Sequence, residues 1–120
     1  MIKVGVDLVA IHRLKEVNPR ILVHFIQRVY TEREQAQAQG DFETLAGLFA
    51  AKEAGSKALG TGIGKAAWQN FEILHASTGE PSIYLSGFAQ EVANFKGLKE
   101  WAVSISHEGG FAIATVIAQG

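Results

Sequence analysis

From Met1 to Ala10 the apolar residues Ile2, Val4, Val6 and Leu8 alternate with Lys3, Gly5, Asp7 and Val9. That period predicts a strand with one face in the core. Asp7 falls on the opposite face, near the strand's end. Ile11 to Glu16 reads as a helical turn carrying Arg13, closed by Asn18-Pro19. Ile21, Leu22, Phe25, Ile26 and Val29 then recur at helical spacing from Arg20 to Val29. Thr31 with Glu34 forms a capping-box pattern, so a further short helix follows Tyr30 and runs through Gln39.

The longest helical pattern starts behind Asp41, a residue able to cap the first free N–H groups, and ends near Leu59, where Gly60 can take the left-handed stop. Phe42, Leu45 and Phe49 mark one face. At about 100° per residue, Phe42, Phe49 and Glu53 fall within roughly 40° of each other. A carboxylate on a core-facing stripe needs a partner, because burying an unpaired charge is costly. Lys57, one turn on, is the local candidate, and a metal ion is the other. The plainer reading is an exposed Glu53–Lys57 pair, stabilising by a few tenths of a kcal/mol. Gly60, Gly62 and Gly64 at alternate positions, followed by Lys65, form a turn whose backbone could approach a phosphate. It is not a Walker loop, which precedes its helix.

Beyond the loop, Phe71 and Ile73 alternate within a strand from Trp68 to His75. Thr78-Gly79-Glu80-Pro81 is a turn, and a third strand spans Ser82 to Leu85. Ser86 is positioned to cap a helix with Phe88, Ala89, Val92 and Ala93 on its apolar side, ended by Gly97. Trp101, Val103, Ile105 and His107 share one face of the next strand. Gly109-Gly110 permits a tight hairpin into a last strand from Phe111 to Ala118. The expected fold is α+β in one domain spanning residues 1–120, a mainly antiparallel sheet packed on the long helix.

The 48% hydrophobic and 19% charged residues are the mix of a folded globular domain. With net charge −1 the chain is no polycation, so nucleic acid is not the expected partner. Charge is uneven. Lys3, Arg13, Lys15, Arg20, Arg28 and Arg33 face three acids before residue 34, a segment of +3 suited to an acidic partner. The plainer reading is a solvated surface. With no cysteine, disulfides, thiolate metal sites and a Cys nucleophile are excluded. His12, His24 and His75 lack zinc spacing. His107, at a strand end beside a hairpin, reads first as a surface or hydrogen-bonded structural residue. Asp7 interrupts any signal-peptide run, and no membrane span is expected, which points to a soluble cytoplasmic protein.

Three separated stretches resemble the holo-acyl-carrier-protein synthases. Gly5 to Arg13, GVDLVAIHR, is similar to their Gly-x-Asp start with a downstream Arg. Phe49 to Gly64, FAAKEAGSKALGTGIG, resembles their central signature, and Val103 to Val116, VSISHEGGFAIATV, their closing hairpin. Order and spacing agree along essentially the whole chain. The resemblance implies a small, homotrimeric 4′-phosphopantetheinyl transferase with sites between neighbouring subunits. Its reaction moves the 4′-phosphopantetheine arm of coenzyme A onto a serine of acyl carrier protein.

Carried over residue by residue, the resemblance implies Mg2+ ligands at Asp7 and Glu53, with Lys57 on the phosphates. Glu53 or a metal-bound water is left as the group that removes the serine proton. Gly60, Gly62, Gly64 and Lys65 would wrap coenzyme A, with His107 a further contact. Arg13 would face the acidic carrier, joined by Arg20 and Arg28 of the same basic segment. One position departs from the family: Leu48 stands where an arginine is common, so that contact is lost or is supplied by Lys52 or Lys65. Two rivals leave Asp7 and Glu53 without a metal role. One is a non-catalytic module binding a nucleotide or phosphate through the Gly60–Lys65 loop, the other a carrier-protein adaptor.

Overall fold

A computed structural model describes all residues, Met1–Gly120. Strand β1 (Ile2–Ala10) is followed by the short helices α1 (His12–Lys15), α2 (Pro19–Val29) and α3 (Glu32–Ala38), then the long helix α4 (Phe42–Leu59). A 3-10 turn over Trp68–Asn70 leads into strands β2 (Phe71–His75) and β3 (Pro81–Leu85). Helix α5 (Gly87–Lys96) and the hairpin β4 (Glu100–Glu108) and β5 (Phe111–Gln119) complete the chain. The strands form two antiparallel sheets, one ordered β1-β5-β4 and the other β2-β3.

Local chemistry explains most boundaries. Pro19 opens α2 behind Asn18, whose side chain accepts from the Arg20 N–H. Thr31 and Glu34 form the capping box of α3. Asp41 accepts from the Thr44 N–H at 3.0 Å, and Gly60 ends α4 at φ +90°. Before α5, Ser86 makes no side-chain cap; the side-chain Oδ1 of Asn70 in the 3-10 turn accepts from the Ala89 N–H instead, at 3.4 Å.

Helix α4 is the axis of the core, and its burial differs from the pattern expected of it. Leu45, Ala46, Leu48, Ala50, Ala51, Ala54, Ala58 and Leu59 are buried, whereas Phe42, Phe49 and Glu53 are only half-buried and Lys57 is exposed. The stripe of Phe42, Phe49 and Glu53 is therefore the rim of the core. Small residues let the sheets come close enough to cover the helix. A methyl on Gly5 of β1 would run into the Ala54 carbonyl oxygen, and one on Gly55 would lie 3.0 Å from the Phe71 ring. Gly5→Ala would force β1 off α4, an overpacking that costs about 1–3 kcal/mol.

The same close approach reverses the expected orientation of β1. Gly5 and Val9 face the core, while Ile2, Val4, Val6 and Leu8 are exposed. In the ladder Val4 lies opposite Ile117 and Leu8 opposite Ile113. With Phe111, these residues give the β1-β5 pair an uncovered apolar outer face, Val4 being 64% and Ile117 44% exposed. Large contiguous apolar patches of this kind mark interaction surfaces.

Candidate functional site

The inward face of β1 carries Asp7, two residues after Gly5, and the flank of α4 carries Glu53 and Lys57 one turn apart. The close β1–α4 contact brings all three together. Lys57 Nζ donates to the Val6 carbonyl oxygen at 3.0 Å and to Asp7 Oδ1 at 3.3 Å. Its partner is thus Asp7, not Glu53 as the helical spacing suggested. An ion pair with one side chain this exposed is worth about 0–1 kcal/mol, so Lys57 can leave it readily.

The Glu53 carboxylate accepts no hydrogen bond, although its main-chain carbonyl takes one from the Ser56 hydroxyl at 2.7 Å. Burial pushes its carboxyl above the usual glutamate range, the negative charge of Asp7 pushes it further, and Lys57 only partly opposes both. Two carboxylates held together with too little positive charge suit a divalent cation. No cluster of three or more metal-ligating side chains exists in the chain. Asp7 and Glu53 offer two hard oxygen donors, which fits Mg2+, an ion that keeps several waters and takes oxygens from substrate phosphates.

The glycine-rich exit loop is less open than its sequence suggests. The N–H groups of Gly60, Thr61 and Gly62 all turn back to the Ser56 carbonyl oxygen, at 2.9, 3.2 and 3.3 Å, and the Gly64 N–H reaches the Ala66 carbonyl. Those amides are engaged within the loop and the helix end. The exposed positive charges on the loop and on the last turn of α4 are Lys65 and Lys57.

Lys52 is not among them. It is fully buried, its Nζ donating to Glu34 Oε1 at 2.7 Å, the Phe71 carbonyl at 2.7 Å and the Trp68 carbonyl at 3.3 Å. Burial lowers its affinity for the proton, which Glu34 opposes. Glu34 also accepts from the Thr31 and Ile73 N–H groups. This network ties α4 to α3 and β2, and pattern reading missed it. The available signal was the wheel, on which Lys52 falls with Leu45, Leu48 and Leu59 within about 60°.

His107 lies apart from the carboxylates. Its Nε2 is 2.8 Å from the Glu43 carbonyl oxygen at the start of α4. The ring also lies against Gly47, six residues before Glu53 and about 9 Å from it along the axis. Within one chain, His107 and Glu53 therefore do not share a site. Arg13, Arg20 and Arg28 are all exposed and none has an ion-pair partner, so the Arg13–Glu16 pairing that spacing allows is not formed. Arg13 borders a mainly apolar cavity of about 240 Å3 lined with Val9, Leu14, Val17, Phe25 and Phe49. No helix is long and apolar enough to cross a membrane.

The family model of the 4′-phosphopantetheinyl transferase superfamily matches residues 3–116. A holo-[acyl-carrier-protein] synthase of Caldanaerobacter subterraneus is 40% identical over 120 residues, covering 98% of this chain and 94% of the relative. That of Herpetosiphon aurantiacus is 39% identical over 127 residues, covering all of both chains. Among solved structures, the Helicobacter pylori holo-[acyl-carrier-protein] synthase in complex with coenzyme A superposes with a TM-score of 0.87 at 34% identity, covering 97% of this chain and 99% of that one. The Neisseria meningitidis synthase gives 0.88 at 32% identity over the full length of both.

Proposed function

The chain belongs to the 4′-phosphopantetheinyl transferase superfamily, and we propose that Asp7, Glu53 and Lys57 carry its transfer. It is an enzyme that moves the 4′-phosphopantetheine arm of coenzyme A to a serine of apo-acyl carrier protein. The observation that supports these three residues is the under-neutralised Asp7–Glu53 pair beside a loosely held lysine.

Asp7 and Glu53 would hold Mg2+, which when bound would neutralise charge on the pyrophosphate being cleaved. With one oxygen given to such an ion, Glu53 would keep its other oxygen free to accept the proton of the carrier serine. The serine oxygen then forms its bond to the pantetheine-side phosphorus as the bond to the bridging oxygen breaks. Adenosine 3′,5′-bisphosphate leaves, its new charge met by Lys57 released from Asp7. Lys65 holds the phosphates of the cofactor beside α4, and the Gly60–Gly64 turn, its amides already engaged, shapes the wall the cofactor lies against. Arg13, Arg20 and Arg28 face the acidic carrier. Residues 1–120 act as one transferase domain, and the place of action is the cytoplasm. Carrier-dependent release of adenosine 3′,5′-bisphosphate from coenzyme A, absent in Asp7→Ala, tests the assignment; release undiminished in that variant overturns it.

The working unit is a homotrimer with sites between subunits. What supports this is the uncovered face of Val4, Leu8, Ile113 and Ile117 together with the separation of His107 from Glu53. In a closed ring, the histidine of one copy can complete the coenzyme A site of the next. Co-refolding Glu53→Gln with His107→Ala subunits should restore activity that neither variant has alone. A catalytically competent monomer in sedimentation would overturn the shared site.

A further inference from the structure

Beyond the Ser56 carbonyl oxygen that accepts from Gly60, Thr61 and Gly62, the loop from Gly60 to Ala67 has few hydrogen bonds to the rest of the fold, and helix α5 reaches both of its ends. At the entry, Lys96 Nζ in the last residue of α5 donates to the Leu59 carbonyl oxygen at 2.6 Å. That oxygen is among the carbonyls a helix end leaves without an internal partner, where a cation is also favoured by the helix dipole. A methyl on Gly60 would lie 2.8 Å from the same Nζ, so the residue at the turn leaves room for the ammonium.

At the exit, Asn70 performs the matching task. Its Oδ1 accepts from the Ala67 N–H at 3.2 Å and from the Ala89 N–H in the first turn of α5 at 3.4 Å, while its carbonyl oxygen accepts from the Ser86 N–H at 2.9 Å. Helix α5 spans Gly87–Lys96, about 15 Å of rigid rod between the two attachments.

We propose that Lys96 and Asn70 are positioning residues for coenzyme A: through α5 they fix the spacing of the two ends of the Gly60–Ala67 loop. The inference rests on the reading that this loop, through Lys65, holds the cofactor's phosphates. Neither residue touches substrate. Each keeps the loop in one arrangement, so less of the binding energy goes into ordering it. Lys96 and Asn70 are each only half-buried, so both can be altered without opening the core.

Steady-state kinetics with each substrate varied, paired with thermal melts, tests this in Lys96→Met, Lys96→Arg, Asn70→Ala and Asn70→Asp. Loss of the one charge-assisted hydrogen bond of Lys96, or of the two that Asn70 Oδ1 accepts, predicts a rise in KM for coenzyme A of about five- to tenfold in Lys96→Met and Asn70→Ala. The carrier KM and kcat should stay within about twofold, and Lys96→Arg and Asn70→Asp, which keep the donor or acceptor, should recover near wild-type values. Unchanged KM for coenzyme A overturns the proposal, as does a parallel rise in both KM values or a Lys96→Arg variant as impaired as Lys96→Met. If Lys96→Met fails to fold, the Asn70 pair decides by the same criteria at the other end of α5. A wild-type chain that transfers nothing overturns the underlying reading; a wild type that transfers while the variants match it overturns only the positioning role.

Discussion

Lys57 donates a 3.3 Å hydrogen bond to Asp7 and leaves the Glu53 carboxylate, one turn earlier on α4, without a hydrogen-bond donor. The glutamate therefore sits half-buried beside a like charge, and its carboxyl titrates above its value in the unfolded chain. Below the unfolded value Glu53 is protonated in both states and has no effect on stability. As pH rises towards the folded value the unfolded state ionises first, so stability is lost, and the full loss persists at neutral pH.

Glu53→Gln should therefore melt at or above the wild-type temperature at pH 7, with the difference vanishing below about pH 4. Transfer should fall by about a hundredfold or more, in kcat. Thermal melts at the two pH values check the first claim. A variant that melts well below wild type at pH 7 would assign Glu53 to the structure rather than to the chemistry.

Metal and proton compete for the same oxygens of Glu53. The acid limb of the pH–kcat/KM profile should lie above the ordinary glutamate value of about 4.3 at limiting Mg2+, and should move to lower pH as Mg2+ is raised. Profiles at limiting and saturating Mg2+ measure it. An acid limb indifferent to the ion would separate Glu53 from the metal.

The buried pair of Lys52 and Glu34 should show the signature of an interior ion pair. Lys52→Met leaves Glu34 buried and uncompensated, a loss of about 3–5 kcal/mol. Lys52→Met/Glu34→Leu should be less unstable than the sum of the two single variants, because the orphaned charge is gone. Urea unfolding of the four proteins gives the coupling; strict additivity would mean the two groups do not sense each other.

Arg13→Ala should raise the KM for carrier and leave that for coenzyme A unchanged. The expected loss is about 1–3 kcal/mol if the guanidinium becomes partly buried against the carrier, and less at the rim. Added salt should weaken wild type more than the variant, since screening acts on the contact already removed. An unaltered carrier KM would remove Arg13 from the docking surface.

Much of the element order was legible because caps and turns are local. Asp41, Thr31 with Glu34, Gly60 and Gly109-Gly110 each act within a few residues, and the boundaries they imply agree with the structure. Facing was less legible. Alternation in β1 shows two distinct faces but not which one meets α4, and the face with larger apolar residues turned outward because Gly5 allows the closer approach. In α4 the core is marked by alanine and glycine more than by phenylalanine, so the large residues at 42 and 49 pointed to the rim. Asp7, Glu53 and Lys57 could be singled out, while the pairing of Lys57 with Asp7 depends on a strand fifty residues away. The engagement of the loop amides by Ser56 and the attachments of Lys96 and Asn70 are likewise tertiary facts with no local signature.

The most direct measurement is the intact mass of an apo-acyl carrier protein incubated with this chain, coenzyme A and Mg2+. The expected result is a gain equal to one 4′-phosphopantetheine arm, localised by fragmentation to a carrier serine and lost in Glu53→Gln. Binding of coenzyme A or carrier with no gain in carrier mass would contradict transfer and leave the chain a binding module.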